Sequence, residues 1–124
     1  IGQINGRHQL DIDGFEYGLE RLINEMKSQT KVFVLGLTPI DEKKMPFAGC
    51  LWYSNDFCNS YERRMEEVCL NQNIPFLPTF REMYSDQRSK NWISSDGIHL
   101  NSEGHFWIFQ RIKSWEILTK WKDS

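Results

Sequence analysis

Trp92-Ile-Ser-Ser-Asp96-Gly97-Ile-His99-Leu-Asn101-Ser102-Glu103-Gly-His105 is the stretch around which the chain is organised. It sets Asp96 and His99 three residues apart, beside Gly97 and just before a segment that reads as the last long helix. Asn101 or Ser102 suits the cap of that helix, and Glu103 suits its first turn. A carboxylate at Asp96 aimed at one imidazole nitrogen of His99 would leave the other nitrogen to take a proton from a nucleophile. The same spacing also fits an ordinary turn before a helix, so by itself it leaves both readings open.

The wider pattern adds a resemblance. Asp96-x-x-His99 followed by Leu-Asn-x-x-Gly-His resembles the last block of the SGNH hydrolases, also called GDSL lipases or esterases. Val32-Phe-Val-Leu-Gly-Leu-Thr-Pro39 is similar to a strand and following loop of those enzymes. Asp41-Glu42 and Met45-Pro46-Phe47 resemble the sequence after that strand in a bacterial branch of acylhydrolases. Asn73-Ile-Pro-Phe-Leu77 resembles the short strand before their catalytic loop.

The resemblance implies a three-layer, flavodoxin-like α/β fold with a parallel sheet and hydrolysis of carboxylic esters through an acyl-serine. His99 would be the general base and Asp96 the residue that orients it. Family members also carry a Gly-Asp-Ser nucleophile motif, an oxyanion glycine and a Gly-x-Asn-Asp block, none of which is in this sequence. Gly2-Gln-Ile-Asn5 has the wrong spacing for the last of these. The expectation is therefore a single domain, 1–124, that is the C-terminal portion of such an enzyme, with a missing N-terminal segment and the serine upstream of Ile1. Ser54, Ser60, Ser94 and Ser95 read as caps or turn residues, since none sits at a strand-to-helix elbow.

Composition sets the outer bounds. Hydrophobic content of 40% and aromatic content of 14% argue against disorder. With 15 basic and 17 acidic residues, net charge −2 and no basic block, no nucleic-acid partner is expected. No apolar run approaches a membrane span, and the first residues lack the zones of a signal peptide. The compartment stays open, with a slight preference for the cytoplasm. Of three cysteines at least one is unpaired, although Cys50 and Cys58 are close enough in sequence to bridge.

Along the chain, residues 1–14 read as a long polar loop over the surface or along a cleft. Phe15, Leu19, Leu22, Ile23 and Met26 recur at helical spacing, giving a helix over about 15–28 with Asp13 as its cap. Residues 31–36 read as a central parallel strand covered on both faces, which would need a second neighbour besides 74–77. Phe57, Tyr61, Met65, Val68 and Cys69 mark a helix over about 56–71, with Cys69 a buried thiol. Pro75 places the short strand near a sheet edge, and Thr79 suits the cap of a helical turn ending near Tyr84. Residues 85–91 read as a polar loop, and the last helix as running from Ser102 to about Lys120.

The long loop after the first strand leaves its C-terminal end, where α/β folds line a binding crevice. Ile40, Met45 and Trp52 are the candidates for an apolar wall around the hydrocarbon of a small-molecule or lipid ester. No cofactor or metal is expected. The rival metal set, Asp96, His99 and His105 with His8 remote, is weakened because His105 falls a turn into the helix, where a core or second-layer role explains it. The other rival is a noncatalytic α/β module that binds a partner, and a homo-oligomer contact through Trp115 and Trp121 is a further possibility.

Overall fold

The computed structural model describes residues 2–123, so Ile1 and Ser124, the outer ends of the expected 1–124 domain, lie outside the described residues. The chain opens with a two-stranded antiparallel hairpin, β1 (Gln3–Ile4) and β2 (Arg7–His8), where a loop was expected. Asn5 and Gly6 form its turn with φ of 52° and 76°. Two positive φ values in succession are what a two-residue type I′ turn demands, and Asn-Gly meets that demand at low strain.

Helix α1 (Ile12–Lys27) starts earlier than its apolar spacing suggests, because Asp11 rather than Asp13 caps it by accepting from Gly14 N–H. Helix α2 (Asn55–Asn71) is capped by Ser54. Its buried stripe of Cys58, Tyr61, Met65, Val68 and Cys69 follows the helical period. Ile23 of α1 packs on Val68 and Cys69, with Val34, Ile74 and Phe76 around them. Arg64 reaches across to Asp13 and Glu16, and Tyr61 donates to the Leu10 carbonyl at 2.6 Å.

Strand β3 (Val34–Leu35) pairs in parallel with β4 (Phe76–Leu77). It is shorter than expected and not covered on both faces: Val34 is half-buried and Leu35 is 36% exposed. The expected three-layer, flavodoxin-like parallel sheet is thus corrected. The described ladders are two separate two-stranded sheets of opposite sense, one antiparallel and one parallel. The α/β character stands.

Helix α3 (Thr79–Tyr84) follows β4 directly. Thr79 does not cap it; its hydroxyl donates to the Leu37 carbonyl at 2.7 Å. The expected loop at 85–91 contains a 3₁₀ turn, Gln87–Asn91, capped by Asp86. The expected single last helix is two, α4 (Ser102–Lys113) and α5 (Glu116–Asp123), broken at Ser114 and Trp115. Trp115 turns inward and is buried, its ring 5.6 Å from Phe33, while the Trp121 ring lies 5.5 Å from Phe33. Both rings thus have a partner within the chain. Among the described residues no helix is long and apolar enough to cross a membrane.

Candidate active site

The loop from Trp92 to Asn101 is closed at its base by a bridge between Ile93 and Leu100 and by Asn101 N–H donating to the Trp92 carbonyl. Asn101 caps α4 through Gly104 N–H, and its side-chain amide donates to the Asn91 carbonyl. Gly104 is needed there, because a Cβ would stand 2.6 Å from the Trp92 carbonyl oxygen. These ties explain why the residues after His99 read as they do: each one anchors the loop to the start of α4.

Inside the loop Asp96 uses both carboxylate oxygens. Oδ1 accepts from Ser94 Oγ at 2.8 Å and from the backbone N–H groups of Ile98 and His99 at 2.9 Å each. Oδ2 meets His99 Nδ1 at 2.5 Å. The backbone N–H donors, His99 first and then Ile98, hold the Asp96 carboxyl well below the usual carboxylate range, and the His99 ring adds to them. Asp96 is therefore an ionised acceptor that fixes the Nδ1–H tautomer and leaves Nε2 as the open nitrogen. The ring is 68% exposed, and Phe47 stands edge-on to it at 6.3 Å.

His99 borders a cavity of about 300 Å³ with Gly36, Leu37, Ile40, Tyr53, Cys58 and Ile98. Of the expected wall residues, Ile40 is here, mostly buried and packed with Cys58 and Phe80. Met45 and Trp52 instead line a second cavity of about 450 Å³, with Gln3, Glu42, Tyr53 and Phe57. Neither Tyr53 nor Cys58 was expected to line a cavity; Cys58 was named only as a possible bridge to Cys50, and its helical spacing to Tyr61 and Met65 was the available signal. Burial pushes its thiol up to about 11, which keeps it protonated and a poor nucleophile.

Three ties hold this cavity. Asn55, buried at the start of α2, accepts from Ile40 N–H at 2.8 Å and donates to the Ile40 carbonyl at 2.9 Å. Glu62, 1% exposed, accepts from Leu37 and Phe80 N–H on one oxygen and from Arg81 N–H on the other. Asp41 N–H donates to the Gly97 carbonyl at 2.9 Å, joining the crevice loop to the histidine loop. Glu62 was missed in the sequence; a carboxylate inside the apolar stripe of α2 was the available signal.

His105 is exposed on α4, which corrects the core half of the core or second-layer role expected of it, and no group of three His, Cys, Asp or Glu gathers among the described residues. Cys50, Cys58 and Cys69 are all free thiols, so the Cys50–Cys58 bridge is not formed. Ser54, Ser60 and Ser94 spend their hydroxyls on Phe57 N–H, the Asp56 carbonyl and Asp96.

The chain is 24% identical over 107 residues to the GDSL esterase/lipase CPRD49 of Arabidopsis thaliana, which covers 82% of this chain and 40% of that protein. Its fold matches the crystal structure of the lipase/acylhydrolase from Enterococcus faecalis with a TM-score of 0.70 at 20% identity, covering 89% of this chain and 55% of the other. The chain thus spans about half or less of the length of these relatives. The model of the GDSL-like lipase/acylhydrolase family matches residues 2–106. That match corrects the expectation of a likeness confined to the C-terminal part of the family: it runs over most of the chain, from residue 2 to residue 106. With the match covering most of its length, the chain belongs to the GDSL-like lipase/acylhydrolase family.

Proposed function

We propose that the protein hydrolyses carboxylic esters through an acyl-serine intermediate, with His99 as general base and Asp96 as the residue that orients it. The observation that carries this reading is the Asp96 Oδ2–His99 Nδ1 contact, which leaves Nε2 open at the edge of an apolar cavity. Family membership supports the reaction class.

In this mechanism a serine hydroxyl attacks the ester carbonyl carbon while its proton passes to His99 Nε2. The ionised Asp96 stabilises the imidazolium that results. As the tetrahedral intermediate collapses, the carbon–oxygen bond to the alcohol breaks and the alcohol takes the proton from Nε2. Water then repeats the cycle on the acyl-serine and releases the acid. Ile40, beside His99, and Met45 and Trp52, in the adjoining cavity, provide apolar surface for the hydrocarbon of the substrate.

The test is hydrolysis of p-nitrophenyl acetate by the purified protein, alongside His99→Ala with folding checked by circular dichroism. Loss of most of the rate in a folded His99→Ala protein is the expected result, and full activity in that variant rejects the mechanism. Fluorophosphonate labelling and peptide mapping of the wild-type protein then identify the serine that His99 serves.

A further inference from the structure

The cavity beside His99 and the cavity lined by Met45, Trp52 and Phe57 have a single described residue in common, Tyr53. Its ring belongs to the packed group around Ile40, Cys58 and Phe80 on one side and stands 6.3 Å from Phe47, edge-on, on another. Its backbone is fixed as well. Tyr53 N–H donates to Met45 Sδ at 3.4 Å, and its neighbour Trp52 exchanges two backbone hydrogen bonds with Gln3. Gly2 lies against the ring so closely that a Cβ there would stand 3.0 Å from Tyr53 Cζ. A bulky side chain held from several directions between two apolar hollows is a wall with little freedom to swing aside.

We propose that Tyr53 determines acyl-chain selectivity by dividing the substrate cleft into a short chamber against His99 and a second, larger chamber against Trp52. The inference rests on the ester-hydrolase reading and goes beyond it by naming the residue that discriminates among linear acyl esters. The polar groups at the rim of the second chamber are already engaged: Glu42 Oε1 accepts from Asn55 N–H, and Ser54 Oγ accepts from Phe57 N–H. What Met45, Trp52 and Phe57 offer an occupant is therefore apolar contact, which suits a hydrocarbon tail. Acyl groups that end within the chamber beside His99 do not test the partition; longer ones must pass the Tyr53 ring.

Two readouts test this, one of them independent of catalysis. In hydrolysis, the ratio of kcat/KM for p-nitrophenyl decanoate to that for p-nitrophenyl acetate rises about tenfold in Tyr53→Ala, the scale of a methylene-sized change in an apolar pocket. Tyr53→Phe, which keeps the ring, retains the wild-type ratio. In binding, decanoate titrated into Tyr53→Ala shifts the Trp52 indole N–H resonance at about tenfold lower concentration than in the wild type, whereas acetate leaves that resonance in place. Tyr53→Leu serves both readouts if the alanine variant does not fold. An unchanged ratio together with an unchanged decanoate response overturns the proposal. Hydrolysis that survives His99→Ala overturns the reaction instead, and the indole titration still decides on Tyr53.

Discussion

Replacing Glu62 separates the carboxylate's role as an acceptor from its charge. Oε2 accepts from Leu37 N–H at 3.0 Å and Phe80 N–H at 2.7 Å, and Oε1 accepts from Arg81 N–H at 3.1 Å. In Glu62→Gln the amide oxygen can keep the first two, but the NH₂ group then faces the Arg81 donor. One backbone donor is stranded, at about 1–3 kcal/mol, or roughly 4 °C in Tm per kcal/mol for a chain of this size. Glu62→Ala strands all three donors and opens a cavity, for a loss of about 4–5 kcal/mol, among the largest that single substitutions produce. The pH dependence has a definite sign. Burial raises the Glu62 carboxyl above its ordinary value and outweighs the Phe80, Arg81 and Leu37 N–H donors and the Arg81 charge, which lower it. A folded pKa above the unfolded one stabilises fully below the unfolded value and loses that contribution as pH rises through the folded value. The wild-type advantage over Glu62→Gln is thus greatest at or below the ordinary carboxylate value, about pH 4, and shrinks as pH rises through the higher folded value. Urea unfolding of the three proteins over a rising pH series measures it. Equal stability of the glutamine and alanine variants, or an advantage that grows with pH, would refute the reasoning.

Three further outcomes are expected. Asp96→Asn keeps Oδ1 for Ser94, Ile98 and His99 N–H but turns an NH₂ toward Nδ1, so binding survives while kcat falls roughly 10⁴-fold, the scale of the same change in a protease triad. Because the Asp96 carboxyl is depressed, its contribution to stability holds above the usual carboxylate pKa and fades only as pH falls through the lower folded value; a folded Asp96→Asn protein with wild-type kcat would reject its role. Gly97→Ala combines a φ of +86° with a Cβ 2.5 Å from Lys44 Cβ, and should lose about 2–4 kcal/mol in urea, whereas Gly6→Ala, at φ +76° with nothing within 4 Å, should lose only about 1–2. Thiol titration should find Cys50 reactive in the folded protein and Cys58 and Cys69 only after unfolding, since burial pushes both of the latter up to about 11; rapid native labelling at Cys69 would contradict its packing.

The features legible in the sequence are the local ones. Asp96 and His99 are three residues apart, so their contact is decided within a single turn and their spacing carries it. The stripe of α2 is equally local, because period alone puts Tyr61, Met65, Val68 and Cys69 on one face. The hairpin at 3–8 was also within reach, since Asn5-Gly6 is a strong turn signal, but its strands are too short to show alternation. The break between α4 and α5 was not, because Trp115 is drawn in by Phe33, some eighty residues away, and periodicity does not register so distant a contact. Glu62 is the extreme case. Its partners lie 25, 18 and 19 residues away, so its place in the apolar stripe of α2 signals burial but not the donors it accepts from.

That distribution has a consequence for how His99 is held. Its orientation comes from its own loop, but its position relative to the cavity is set by α2 acting through the crevice loop. Asn55 and Glu62, seven residues apart on the same helix, take up the backbone of Ile40 and Leu37 on either side of Thr38 and Pro39. Gly36 has no Cβ because one would stand 2.1 Å from Glu62 Oε2, so the carboxylate sits against the end of β3 itself. From Ile40 the next residue, Asp41, donates to Gly97, and Gly97 is two residues from His99. The path from helix to imidazole therefore runs through the buried side chains of Asn55 and Glu62, their hydrogen bonds to the Ile40 and Leu37 backbone, and the backbone hydrogen bond from Asp41 to Gly97. Such a path tolerates little displacement, because its two side-chain links are buried and packed and its last link joins two peptide groups. A side chain aligned only by Asp96 would point correctly yet drift with its loop; the α2 ties are what keep Nε2 registered on the Ile40 wall.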